Sequence, residues 1–373
     1  MKSRLLFVVA LLALALLGGA IVYLTRPPNA PPPPAVPPPP LRAEGVASPP
    51  AGIALTPAPA APAGLPGAIE RMLDLLDKHA ATPTDLAAFK AELLAADPAA
   101  AIAAIRSFLR SRRDVATGQE FAVGAGGTLR GSPTLRLLLL DALGQIARRS
   151  RSEAASQVAR EILADKSSAD EWALALRNVA WTEPRAQTFL ADQVREMLRY
   201  EPWRTAPSAG MLEALDVVVF IKDTSLIPDL ADARAANNEL SHAADIALDR
   251  LADAAPLDVL TYLNTHPPLL NDRPFLRADY FAKADLSQPA QRAQVEIYLG
   301  RPDISVAEKT KLLKELTSPA SFVGDSLVAD PTPADDGAAR RTGLAETTRE
   351  WLAHDRFPTL REPLLEVQQR LAH

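Results

Sequence analysis

Residues Ser225–Ala252 read SLIPDLADARAANNELSHAADIALDRLA, and this stretch decides how the rest of the chain is understood. Ser225-Leu-Ile-Pro228-Asp-Leu230 opens a first helix that carries a proline. Asn237-Asn238 supplies a short turn. Ala243-Ala244, Ala247-Leu248 and Leu251 then recur at the three- and four-residue spacing of one helix face. Two short helices joined by a tight turn form a unit that cannot bury its apolar stripe alone. The composition agrees with helices. Hydrophobic residues make up 48% of the 373-residue chain but aromatics only 5%, and 17 glycines are few, so Ala, Leu and Val carry the apolar fraction.

Similar signals run on both sides of that unit. Leu86, Phe89 and Leu93 fall on one helix face, with Thr84 placed to cap it. Asp97-Pro98 and Ser132-Pro133 each put a capping residue before a proline at the first helical position. Ser168 and Glu171 form a capping box ahead of Trp172, and Thr182-Glu183-Pro184 starts a helix whose stripe is Leu190, Val194 and Met197. Strand character is confined to Phe121–Arg130, a short hairpin around Gly124-Ala-Gly-Gly127. About sixteen helices are expected on these signals. Helix pairs open near Asp97, Ser132, Ser168 and Ser208, at spacings of 35, 36 and 40 residues. That period suits stacked helix–turn–helix units.

On those residues the segment Ser225–Ala252 resembles a HEAT repeat, with 132–164 and 168–200 resembling it more loosely. The resemblance implies an all-α solenoid, an α-α superhelix of stacked pairs. The aspartate and arginine pairing of that family is not evident across all units. A compact helical bundle would bury similar stripes. The body, however, is longer than one bundle core usually spans, which favours the extended stack.

Sixteen of the 34 prolines lie between Pro27 and Pro66, dividing the chain into a head (1–26), a linker (27–66), a helical-repeat body (67–317), a loop (318–343) and C-terminal helices (344–373). Lys2 and Arg4 precede an uncharged run from Leu5 to Leu24, and Tyr23 and Arg26 close it. At about 1.5 Å per residue this run matches a bilayer core of roughly 30 Å, so the first expectation is a single-pass anchor with a cytoplasmic N-terminus. The alternative is a signal peptide cleaved near Gly18-Gly19-Ala20. Either exports the body to the periplasm or the exterior. The linker carries Pro31–Pro34 and Pro37–Pro40 and favours polyproline II, a semi-rigid spacer reaching at most about 120 Å.

Function classes are excluded by what is missing. No cysteine is present, which rules out thiolate metal sites and a cysteine nucleophile. With 40 Lys and Arg against 45 Asp and Glu, the net charge of −5 gives no nucleic-acid footprint. Gly124–Gly131 matches neither the dinucleotide fingerprint nor a P-loop, and no cofactor is expected. His79, His242, His266, His354 and His373 show no metal-ligand spacing, and His242 is expected to be partly buried. Asp245 and Asp249, beside Arg250, suggest a solvated helix face.

Gly324-Asp325-Ser326-Leu327 resembles the first block of the GDSL esterases, which would make Ser326 a nucleophile. Only 47 residues follow it, however, and the residue three before His354 is Trp351 rather than the Asp of that family. Two basic clusters stand out more clearly: Arg106, Arg110, Arg112 and Arg113, and one unit later Arg148, Arg149 and Arg151. If the units stack, the clusters line one edge as a basic ridge for an anionic partner. Trp203 and Arg204, expected in an exposed loop, are a second contact point, since both types are enriched at binding hot spots. The expected function is therefore recognition of a protein or peptide partner in the cell envelope, without catalysis. A steric foldase is the alternative: the anchor, linker and helical body resemble the lipase-specific foldases, although no Phe-Asp-Tyr is present.

Overall fold

The computed structural model describes residues 64–267, 270–319, 324–328 and 337–372. The expected anchor and all but the last residues of the expected linker lie outside these. Among the described residues no helix is long and apolar enough to cross a membrane. They are 71% helical with 2% strand, so the described body is all-α and among these residues no sheet layer competes for the core.

The first helices are α1 (Leu65–Asp77), α2 (Pro83–Ala95) and α3 (Pro98–Arg110). The hairpin β1 (Ala122–Val123) and β2 (Leu129–Gly131) follows, antiparallel as the sequence predicts. Next come α4 (Leu135–Ser150), α5 (Glu153–Leu163), α6 (Ala169–Thr182) and α7 (Gln187–Arg199). Three short helices, α8 (Glu201–Thr205), α9 (Ala209–Glu213) and α10 (Asp216–Ile221), lead into α11 (Ile227–Arg234) and α12 (Glu239–Ala254). The remainder is α13 (Pro256–Thr265), α14 (Pro274–Phe281), α15 (Pro289–Gly300), α16 (Val306–Glu315), α17 (Ala338–Ala353) and α18 (Arg361–Leu371). α17 thus begins six residues earlier than the sequence suggests, which shortens the expected loop.

Helices pack against the next but one as well as the next. α1 meets α3, α2 meets α4, α4 meets α6, α10 meets α12, α13 meets α15, α14 meets α16 and α16 meets α18. A continuous buried apolar core runs from Ala68 to Val367 along this succession. α4 and α6 pack closely where Gly144 lies against Asn178, and a Cβ there would collide with that side chain.

Side-chain caps start many of the helices. Asp97, Ser168 and Ser208 cap α3, α6 and α9 as expected. Three expected starts shift. α2 is capped by Thr82, whose hydroxyl accepts from the Asp85 N–H while Asp85 accepts from the Thr82 N–H, so Thr84 lies inside the helix. Thr134 rather than Ser132 caps α4. Thr182 ends α6 and α7 begins at Gln187, with the Glu183 carboxylate between them bound by Arg160.

Candidate functional site

The arginines of the expected ridge are largely compensated. Arg106 donates to Glu161 across the α3–α5 contact, and Arg110 reaches the same carboxylate at 3.1 Å. These donors, Arg106 first, hold the Glu161 carboxyl below its ordinary pKa even though burial works against them. Arg113 forms a two-pronged pair with Glu70 at 2.7 and 3.0 Å, and Arg112 meets Asp165 at 3.0 Å. Of the later cluster, Arg148 lies over the Trp181 ring at 5.0 Å and Arg149 donates to the Leu94 carbonyl at 2.8 Å. Arg151 ends α4 in the left-handed conformation, with φ of 51°. The two clusters therefore engage different neighbours, α5 and α1 for the first, and α2 and the end of α6 for the second.

A pocket of about 280 Å³ opens between α3 and α5, lined by Arg106, Arg110, Arg112 and Arg136 together with Glu161, Asp165 and Glu171. Four guanidinium groups face three carboxylates there, so the pocket keeps a small positive excess. Beside it, Ala99, Ile102, Ala103 and Ala154 line a more apolar groove that shares Arg106 and Arg110.

Trp203 is not exposed. It retains 9% of its surface and packs edge-on against Trp172 at 5.3 Å and Tyr200 at 4.9 Å, as part of the short helix α8. An amphipathic ring with two aromatic neighbours is worth more inside the core than at the surface. Arg204 is half-buried, and its carbonyl accepts from the Asn238 side chain. Two further expectations reverse. His242 is exposed. Asp249 is buried and accepts from Lys283 at 2.9 Å, while Asp245 pairs with Arg234 and Arg273, so this is no solvated face.

Six buried or part-buried ion pairs link segments 31–36 residues apart, while Lys90–Asp141, Arg106–Glu161 and Arg234–Asp245 span other distances along the chain. Arg136 binds Glu171 at 2.6 and 2.8 Å, 35 residues on, and Arg177 binds Asp141 at 2.6 Å over 36 residues. Arg195 meets Asp229, Arg250 meets Asp216 and Lys283 meets Asp249, each over 34 residues, and Arg277 meets Glu308 over 31. Sequence reading missed these partners because each charge looks solvated within its own helix. The signal available was the offset itself, which lies near the spacing of the first helix-pair starts.

The richest of these pairs also holds the hairpin. Asp141 accepts from Arg177 and from the Leu129 N–H at 3.1 Å, and its second oxygen accepts from Lys90 at 2.5 Å. Arg177 donates to the Gly127 carbonyl at 2.8 Å and lies over Trp181 at 4.3 Å. Burial alone would push the Asp141 carboxyl up, but Arg177 and Lys90 outweigh it and hold the pKa below its ordinary value.

Gly324–Val328 is seated against the same loop. The Leu327 N–H donates to Asp216 at 2.8 Å across 111 residues, and Leu327 and Val328 are 0% and 3% exposed. Gly127, at φ 77°, sits so close that a Cβ would collide with the Leu327 carbonyl. Ser326 is half-buried, and its segment is held by Asp216, Gly127 and, through Asp325, by Arg130 at 3.9 Å. Nearby, burial first and then the Asp216 charge raise the Glu213 carboxyl above its ordinary pKa. Among the described residues no cluster of His, Cys, Asp or Glu is arranged to hold a metal. Comparison with protein-family models, curated proteins and solved structures gives no match for this chain.

Proposed function

We propose that this protein is a membrane-tethered, exported scaffold whose body is a HEAT-like solenoid and which binds a protein or peptide partner in the cell envelope without catalysis. The observation that supports the reading is the set of six buried or part-buried ion pairs at offsets of 31–36 residues, a spacing compatible with equivalent helices of successive units lying side by side. Such a stack leaves grooves along its edge, and the α3–α5 pocket with Arg106, Arg110 and Arg112 is one of them. Its paired arginines would exchange Glu161 and Asp165 for a partner's carboxylates, which gives specificity through charge placement more than raw affinity. The linker would set reach and local concentration outside the membrane.

Cross-linking in cells, followed by identification of the captured protein, tests this. One envelope protein is expected, recovered far less with an Arg110→Gln, Arg112→Gln chain whose circular dichroism is unchanged. Recovery of a secreted hydrolase as the sole partner would replace the scaffold with a foldase. Recovery of nothing would sink the binding reading. Fluorophosphonate labelling at Ser326 would overturn the absence of catalysis.

A further inference from the structure

We propose that the groove formed by Gly127, Trp181 and Asp216 is a peptide-binding site that the chain itself occupies with Gly324–Val328. The competing occupant is a short peptide that presents a small polar residue followed by two aliphatic ones in a turn, as Ser326-Leu327-Val328 does. The proposal rests on the binding reading above and names a second place on the body where a peptide is taken.

The contacts are those with which a groove can read a short peptide in a turn, here Leu327-Val328. A fixed carboxylate, Asp216, takes a main-chain N–H rather than a side chain. The two aliphatic side chains go into the core, while Gly324 and Asp325 stay exposed. Main-chain hydrogen bonds of this kind serve any sequence, and the buried pockets select the residues. Gly127 is what lets the peptide carbonyl approach, since a side chain there would fill its position. The floor of the groove does not depend on the segment: Arg177, Asp141 and Lys90 hold the glycine loop, and Arg250 binds Asp216 at 2.5 Å.

The polar capacity of the groove is also not used up by the segment. Among the described residues the Trp181 Nε1–H is buried without a hydrogen-bond partner, and the neighbouring Cζ2 edge of the ring faces Gly127. A buried N–H left unpaired is costly, and a peptide that supplies an acceptor there would outcompete the internal segment. The exposed Arg130–Asp325 contact at 3.9 Å adds little to retention.

The test uses the full chain and a fluorescein-labelled Gly-Asp-Ser-Leu-Val peptide read by anisotropy. Leu327→Asp with Val328→Asp weakens the internal segment, and this chain is expected to bind the peptide at least tenfold more tightly than the parent. A peptide with Asp in place of Leu and Val should bind neither. A second chain, with Gly324–Val328 replaced by alternating Gly and Ser, guards against an effect of the introduced charges. Equal weak binding by all three chains would overturn the proposal. So would loss of the helical circular dichroism in both altered chains, because the segment would then be core that the body cannot release. If the peptide fails to bind while the cellular cross-link is still recovered, this site alone falls. If both fail, the binding reading falls with it.

Discussion

The Arg177 guanidinium and the Asp141 carboxylate meet at 2.6 Å with neither side chain exposed to solvent. They join α6 to α4 where Gly144 lets the two helices approach, and they take a carbonyl from Gly127 and an N–H from Leu129 of the hairpin. One pair thereby fixes both a helix contact and the glycine loop that faces Leu327.

Removing one partner of this pair should cost more than removing both. Arg177→Met leaves Asp141 buried with Lys90 as its remaining cation, and a loss of about 3–5 kcal/mol is expected. The double variant Arg177→Met, Asp141→Leu should lose less than Arg177→Met alone, read from urea denaturation midpoints. Additive losses would show that the two groups do not act as a unit.

Acid should weaken the same contact in a definite window. The folded Asp141 carboxyl titrates below its ordinary 3.8, so protonation is harder folded than unfolded. Its stabilisation is complete above that ordinary value and is lost as pH falls from there towards the lower folded pKa. Asp141→Asn removes this component, and its stability should change less than the parent's between about pH 5 and pH 3. Parallel pH profiles would contradict the assignment.

Two glycine substitutions should differ in sign. Gly144→Ala drives a methyl into Asn178 and should destabilise the chain by about 1–3 kcal/mol. Gly300→Ala meets no atom within 4 Å at the end of α15 and should be neutral or stabilising by about 0.5–1 kcal/mol. Thermal unfolding of the two single variants reads the contrast.

Ion pairs at different depths should also separate. Arg277 and Glu308 are 5% and 3% exposed, and Tyr298 donates to the same carboxylate, so Arg277→Met should cost about 3 kcal/mol or more. Arg112 is 80% exposed beside Asp165, and Arg112→Ala should cost at most about 1 kcal/mol. Equal losses in chemical denaturation would mean that burial does not govern these contacts.

Local signals were legible where the deciding atoms lie within a turn of one another. Asp97 before Pro98, Ser168 three residues before Glu171, and Ser208 each cap the helix they precede. The Ser168–Glu171 box forms only by half, since the Glu171 side chain is taken by Arg136 from another helix. Thr82 was passed over for Thr84, although Pro83 marks the first helical position and points to the residue before it as the cap. Thr182-Glu183-Pro184 misled because its glutamate serves Arg160 and Ser156 instead of a helix start.

The sequence by itself determined the helical class, a short hairpin around Gly124–Gly127 and the apolar stripes, because each depends on periodicity and on capping within a few residues. Only the tertiary structure decided which charges are spent. Arg106 and Glu161, Arg177 and Asp141, and Lys283 and Asp249 find one another across packed helices, and Trp203 goes inside because Trp172 and Tyr200 are there to receive it. An ion's partner is set by distance through space and by the desolvation both groups share, and neither quantity is written along the chain.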